Sequence, residues 1–238
     1  IQINSLVDFP KVILVTSAIP SEGKSLISTN LAYTCANHGK KTILVDFDLR
    51  RPGLHKFAGV GNDDGLIPII NEMHEQSDFI KKKLGTKLHQ IHPNLKMLTS
   101  GGKTRSVTEL IEKSQFQELL NALKSEADIV VLDSPPVGLF PDAMALSKVV
   151  DDIIFVTRYG KVARRAAKGL ISNLEESGSN ILGVVLNDLP GKKSTGYYYS
   201  GYYGYGYGYG YGYGYTGDYY VEESSKTGWN PLNWFKKK

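Results

Sequence analysis

The sequence predicts an α/β protein, a parallel β-sheet with helices packed on both faces. Three observations carry that expectation. Short apolar, β-branched runs recur without the polar alternation of a half-exposed strand, as strands buried on both faces require. Segments of helical periodicity separate them, the spacing of parallel crossovers. Several runs end in chemistry-bearing polar residues, as strands do when their carboxyl ends line a ligand crevice.

In chain order, Lys11 to Thr16 is the first strand and Lys24 to Ala36 the helix that follows it. Thr42 to Val45 is the second strand. From Asn62 to Leu88 the pattern is weak, with a helix expected around Gln76 to Lys83, and Ile91 to Thr99 holds a short strand. Val107 to Glu112 and Phe116 to Ser125 read as helices before the strand Asp128 to Leu132. A helix from Asp142 to Val149 leads to the strand Asp152 to Thr157. A longer helix, Val162 to Glu176, leads to the last strand, Ile181 to Leu186. His38, His55, His74, His89 and His92 lack metal-ligand spacing, and Lys81-Lys82-Lys83 reads as a solvated helix face.

The 238 residues divide unevenly. Of 15 tyrosines, 13 lie between Tyr197 and Tyr220, so residues 1–190 are read as a globular domain and 191–238 as a Gly/Tyr-rich tail. Gly and Tyr alternate strictly from Gly204 to Tyr215, and so much glycine favours disorder over an ordered strand. Six lysines against three acids in the tail account for +3 of the net charge of +4. The body is therefore nearly neutral, without the basic stripe of a nucleic-acid-binding domain. The single cysteine, Cys35, excludes a disulfide framework and fits the core of a protein in a reducing cytoplasm. The first residue is Ile1 rather than Met, so the natural beginning is expected upstream. The terminal Trp229 to Lys238, aromatics beside lysines, reads as a sticky tail rather than a membrane anchor.

The chemistry is concentrated at three strand ends. Thr16-Ser17-Ala18-Ile19-Pro20-Ser21-Glu22-Gly23-Lys24-Ser25 follows a strand and opens a helix. It fits G-x-x-x-x-G-K-[ST] with Ala18 in place of the first glycine. Such a loop turns backbone N–H groups and the positive helix end toward a phosphate. Gly23 permits close approach, Lys24 reaches the β- and γ-phosphates, and the Ser25 hydroxyl suits Mg²⁺. The second run, Ile43-Leu44-Val45-Asp46-Phe47-Asp48-Leu49-Arg50, ends in two carboxylates and an arginine. The third, Ile129-Val130-Val131-Leu132-Asp133, ends in one carboxylate. Paired acids at buried strand ends need a cation, and Mg²⁺ takes oxygen ligands. Together the three runs indicate a site for a Mg-nucleotide.

These residues carry a resemblance. Thr16 to Ser25, Val45-Asp46-Phe47-Asp48-Leu49-Arg50-Arg51-Pro52 and Leu132-Asp133-Ser134-Pro135-Pro136 resemble the Walker A, A′ and B motifs of bacterial protein-tyrosine kinases. Those kinases lie in the deviant P-loop ATPase superfamily of MinD and ParA. The resemblance runs from about Ile1 to Asp188, and the Tyr-rich C-terminus is a second mark of that family. It implies a P-loop NTPase-like sheet and an ATP- and Mg²⁺-dependent tyrosine kinase in exopolysaccharide synthesis or export. By the same resemblance, Lys24, Asp46, Asp48 and Asp133 are catalytic. Asp48 orients or deprotonates the acceptor tyrosine, and Ser25, Asp46 and Asp133 hold the metal. Pro20, Ser21, Glu22, Gly23, Lys24, Ser25, Leu26, Arg158 and Asn187 contact the nucleotide. The family's Glu- and Arg-rich helix and membrane-spanning region would precede Ile1. Thr104-Arg105-Ser106-Val107 stands where the family has a proline-asparagine-proline stretch.

The resemblance also implies acceptors: Tyr197, Tyr198, Tyr199, Tyr202, Tyr203, Tyr205, Tyr207, Tyr209, Tyr211, Tyr213, Tyr215, Tyr219 and Tyr220. A Gly-rich linker of about 20 residues spans roughly 25 Å, enough to reach a neighbouring subunit. Each phosphate adds about −1.5 to −2 charges, which would repel neighbouring tails and dissolve a homo-oligomeric ring. The expected partners are other copies of the chain and a transmembrane activator or upstream segment, at the inner face of the plasma membrane. The rival reading is a MinD/ParA-type ATPase switch. Such switches place a lysine five residues before the P-loop lysine, where this chain has Ile19.

Overall fold

The structure, a computed structural model of the chain, describes residues 11–72 and 84–189. In order it runs β1 (Lys11–Ser17), α1 (Lys24–Asn37), β2 (Thr42–Asp46), α2 (Leu54–Ala58), α3 (Leu66–Glu72), β3 (His89–His92), β4 (Leu95–Leu98) and α4 (Val107–Glu112). It continues with α5 (Ser114–Glu126), β5 (Ile129–Asp133), α6 (Asp142–Ser147), β6 (Asp152–Arg158), α7 (Arg164–Glu176) and β7 (Ile181–Asn187). The strands form one seven-stranded sheet in the order β3-β4-β2-β5-β1-β6-β7. Every pairing is parallel except β3 with β4. The chain steps from β1 toward β2 in one direction and reaches β6 and β7 in the other. The crevice of a doubly wound sheet opens at such a reversal.

Helices cover both faces, and each packs for a local reason. Phe116, Leu119, Leu120 and Leu123 recur at helical spacing along α5 and are buried. They share a core with Phe47 and Phe155, and the Phe47 and Phe116 rings meet at 5.3 Å between centroids. On the opposite face α1 buries Ser28, Thr29, Ala32, Cys35 and Ala36, small side chains that bring the helix close to the sheet. β2 and β5 are buried at every position, which explains their unbroken apolar runs.

The five expected strands and the helices around 24–36, 107–112, 116–125, 142–149 and 162–176 are all present, with ends displaced by one to two residues. The weakly patterned region contains α3, and the expected short strand is a hairpin of β3 and β4. The five-residue α2 had no expectation at all. The helix expected at Gln76 to Lys83 and the whole Gly/Tyr tail lie outside the described residues. No described helix is long and apolar enough to cross a membrane.

Candidate phosphate-binding site

The loop from β1 to α1 is held in shape by its own residues. Ser17 Oγ donates to the Ile19 carbonyl at 2.8 Å. Ser21 and Gly23 sit in the left-handed region, at φ 63° and 96°. Glu22 is buried. Its Oε2 accepts from the Ile19 N–H at 2.9 Å, and its Oε1 accepts from Thr157 Oγ1 and the Arg158 N–H, both at 3.0 Å. Asn187 Nδ2 donates to the Glu22 carbonyl at 3.0 Å. The loop is thereby tied to the ends of β6 and β7, where Arg158 forms an ion pair with Asp188. Gly138, in the β5–α6 connection, closes the other side: a Cβ there would stand 2.3 Å from the Ala18 carbonyl oxygen.

Gly23 admits no side chain. A Cβ would approach Asn187 Nδ2 to 2.2 Å, and the backbone is left-handed. Gly23→Ala is expected to cost about 1–2 kcal/mol in backbone strain. For a domain of this size that lowers the unfolding midpoint by ~2–8 °C. A displaced Asn187 should also weaken nucleotide binding, readable by titration with a fluorescent nucleotide.

Behind the loop, three carboxylates face one ammonium. Lys24 Nζ lies 3.1 Å from Asp48 Oδ2, and both side chains are largely buried. Burial works against the charge on Lys24. The carboxylates of Asp48, Asp133 and Asp46 more than offset it and hold the ammonium well above its usual range. Ladder register sets Asp46 directly beside Asp133 on the paired ends of β2 and β5. Asp133 Oδ1 accepts from Ser28 Oγ at 3.0 Å, and the Ser25 hydroxyl also bonds this carboxylate. Burial pushes Asp133 up, reinforced by Asp48 and opposed by Lys24 and the two serines.

Asp46 is perturbed in the same direction. Its Oδ2 accepts from the N–H groups of Gly53 at 3.0 Å and Leu54 at 2.9 Å, while buried Oδ1 has no partner. Burial, with Asp133 and Asp48 nearby, pushes it from 3.8 up to about 8 despite those two bonds. Between those values the folded chain holds a proton that the unfolded chain releases, so stability falls as pH rises across the window. The expected result for nucleotide- and metal-free protein is an unfolding midpoint that drops from pH 5 to pH 8. Asp46→Asn should flatten that profile and raise the midpoint at pH 8 by ~2–4 °C, the equivalent of about 1 kcal/mol.

An orphaned buried carboxylate oxygen, a second carboxylate beside it and a serine hydroxyl on the next turn form a hard-oxygen donor set. No cluster of three or more His, Cys, Asp or Glu able to ligate a metal occurs among the described residues. Mg²⁺ needs none, because it binds through one or two carboxylates together with water and phosphate oxygens. The residues fit that ion.

One further interaction shapes the site, and neither partner's role was visible in the motifs. Arg50 donates from Nε to Asp142 Oδ2 at 2.6 Å and from Nη2 to Oδ1 at 2.8 Å. Asp142 is fully buried at the start of α6, and the guanidinium lies 4.5 Å over the Phe140 ring. This clamp fixes the segment that carries Asp48, which also accepts from the Arg51 N–H at 3.0 Å. Of the expected residues, Lys24, Ser25, Asp46, Asp48 and Asp133 converge, and Glu22, Gly23, Arg158 and Asn187 assemble at the loop's other flank. Pro20, Ser21 and Leu26 lie on the loop and the first turn of α1 between them. The acceptor tyrosines, Tyr197 to Tyr220, lie outside the described residues.

The chain has recognisable relatives. The ParA family model, described as NUBPL iron-transfer P-loop NTPase, matches residues 8–190. The putative tyrosine-protein kinase CapB of Staphylococcus aureus is 35% identical over 197 residues, which cover 82% of this chain and 81% of that protein. Among solved structures, the chimerical protein CapA2B2 is similar with a TM-score of 0.70 at 29% identity, covering 79% of this chain and 80% of that one. The kinase domain of the Escherichia coli tyrosine kinase ETK gives 0.69 at 27% identity, over 81% and 73% of the two chains.

Proposed function

From the premise that this chain belongs to the bacterial tyrosine-protein kinases within the ParA family of P-loop NTPases, we propose that it transfers the γ-phosphoryl group of ATP to tyrosine, and that its own tail, Tyr197 to Tyr220, is the acceptor. The observation that carries the reading is the convergence of Lys24, Asp46, Asp48 and Asp133 at the carboxyl ends of three adjacent strands. Residues 1–190 would be the kinase domain and 191–238 the acceptor segment.

Phosphoryl transfer depends on positioning and charge neutralisation. In the proposed reaction the N–H groups at the start of α1 and the Lys24 ammonium hold the phosphates. Ser25, Asp46 and Asp133 would hold Mg²⁺, which when bound neutralises phosphate charge. A free tyrosine hydroxyl ionises near pH ~10, so Asp48 accepts its proton as the new O–P bond forms. The bond from the γ-phosphorus to the bridging oxygen breaks, and ADP leaves. Glu22 and Asn187 hold the loop in register throughout. Transfer would run between subunits of a homo-oligomer at the inner face of the plasma membrane. A transmembrane activator, or an upstream membrane-spanning region, would be the partner and exopolysaccharide synthesis or export the process controlled.

The test is intact-mass measurement of the full chain after incubation with Mg-ATP. The expected product carries several phosphates, mapped by peptide sequencing to Tyr197–Tyr220. Mixing an active chain lacking those tyrosines with an inactive full-length chain separates transfer between subunits from transfer within one. ATP hydrolysis with unmodified tyrosines would overturn the kinase reading in favour of a MinD/ParA-type switch.

A further inference from the structure

The two edges of the sheet are built differently. β3 is four residues long, polar, and bulged between Gln90 and His92, all features that discourage pairing with another strand. β7 is seven residues long, contains neither proline nor a charged residue, and pairs only with β6 among the described strands; its one register shift lies at Leu182, and from Gly183 to Asn187 the pairing is regular. Leu182, Val184 and Leu186 alternate along it and are 41%, 51% and 47% exposed. Val184 lies in register with Phe155 and Leu186 with Thr157. The apolar stripe therefore continues the face on which Phe155 clusters with Leu170, Ile171 and Leu174 of α7. A long, uncharged edge with an apolar face invites strand addition.

α7 points to what is added. Its first turns carry exposed Arg164, Arg165 and Lys168, and its last turn carries exposed Glu175 and Glu176. Both ends bear the sign that the helix dipole disfavours. None of the five is ion-paired to another described residue. We propose that β7 binds a second copy of this chain. Two β7 strands pair antiparallel about a two-fold axis that passes at Val184, and one sheet runs across both protomers.

The sequence is self-complementary about that axis. Val184 faces Val184 of the partner subunit, and Leu182 faces Leu186 of the partner subunit, so all three apolar pairs fall on one face. An axis perpendicular to the sheet keeps both α7 helices on that same face and sets them antiparallel. Arg164, Arg165 and Lys168 then approach Glu175 and Glu176 of the partner subunit, and each helix end meets the charge it lacks. Asn187 points to the opposite face and keeps its bond to the phosphate loop. One strand pair and one helix pair make a small interface, so the dimer is concentration-dependent.

Cysteine cross-linking of the full chain reads the register directly, since the native Cys35 is buried. Directly opposed antiparallel residues have Cα atoms about 4.5–5.5 Å apart, within disulfide reach. Under oxidised glutathione, Val184→Cys should form a covalent dimer. Leu182→Cys and Leu186→Cys should each stay monomeric alone and cross-link when mixed. In sedimentation equilibrium, Val184→Lys should raise the dimer dissociation constant roughly tenfold or more, because like charges then sit opposite each other. Its circular dichroism should remain that of the parent. Arg165→Glu should weaken the dimer, and adding Glu176→Arg should restore it. The proposal is overturned by a chain that stays monomeric at high concentration. It is equally overturned by a dimer indifferent to Val184→Lys, or by β7 amides protected from hydrogen exchange in a monomer, which would assign the edge to this chain's own remaining residues. None of these readouts depends on phosphate transfer, so kinase chemistry and dimer stand or fall separately.

Discussion

Asp142→Ala is expected to lower the unfolding midpoint by roughly 6–20 °C, the largest stability effect of any single change near the site. Asp142 is fully buried and receives two hydrogen bonds from Arg50. Removing Asp142 leaves the largely buried Arg50 guanidinium without its carboxylate, and breaking such a buried pair costs about 3–5 kcal/mol. At ~2–4 °C per kcal/mol for a domain of this size, the shift is well outside the error of a thermal melt. Replacing both partners separates a missing bond from a stranded charge. Arg50→Met with Asp142→Leu should recover much of the loss in the melt, since paired apolar groups of similar volume are often tolerated. Catalysis should not recover, because Arg50 sits two residues beyond Asp48 and its clamp fixes that carboxylate's segment.

Lys24→Met should abolish phosphate transfer, with a fall in kcat on the order of 10³ or more. Two effects reach that result, and they separate experimentally. Met removes the cation that would neutralise the transferring phosphoryl group. It also leaves Asp46, Asp48 and Asp133 facing one another without the ammonium that holds them together. The second effect should appear as a lower unfolding midpoint at pH 8 than at pH 6, steeper than in the parent chain. Lys24→Arg keeps the charge but places it on a wide planar fork. Its melt should lie near that of the parent while transfer still fails by mass measurement. If Lys24→Arg retained full activity, the point-charge role of Lys24 would be wrong.

The strands of the site were legible because burial on both faces leaves nothing but apolar residues, and the carboxylates stood out at their ends. Asp46 and Asp133 were readable as neighbours in chemistry, though only the ladder shows that they are adjacent residues of paired strands. The elements that escaped reading have physical reasons. α2 is too short to complete a helical period. α3 carries Pro68 in its first turn, where proline is tolerated but reads as a breaker. β3, on the sheet edge, has the polar sequence His-Gln-Ile-His in place of an apolar run. The resemblance places Glu22 at the nucleotide, but nothing in the sequence shows that its side chain bonds β6, a partner more than a hundred residues away. The Arg50–Asp142 clamp is hidden for the same reason, since 92 residues separate its halves and neither has a local pattern that announces the other.

The strand order has a consequence for how the chain reaches its working form during synthesis. β1 pairs with β5, its partners Lys11 and Ile129 separated by most of the described chain, and with β6, while the loop is braced last by Asn187 of β7. Parallel pairings of such sequence separation close slowly, because loop-closure entropy is lost before any contact forms. Lys24, Asp46 and Asp48 leave the ribosome long before Asp133 does. A nascent chain therefore carries a lysine and two acids with no third carboxylate to complete the cluster, and a phosphate loop with no brace. Capacity for nucleotide should appear abruptly once β7 has been made rather than in proportion to length.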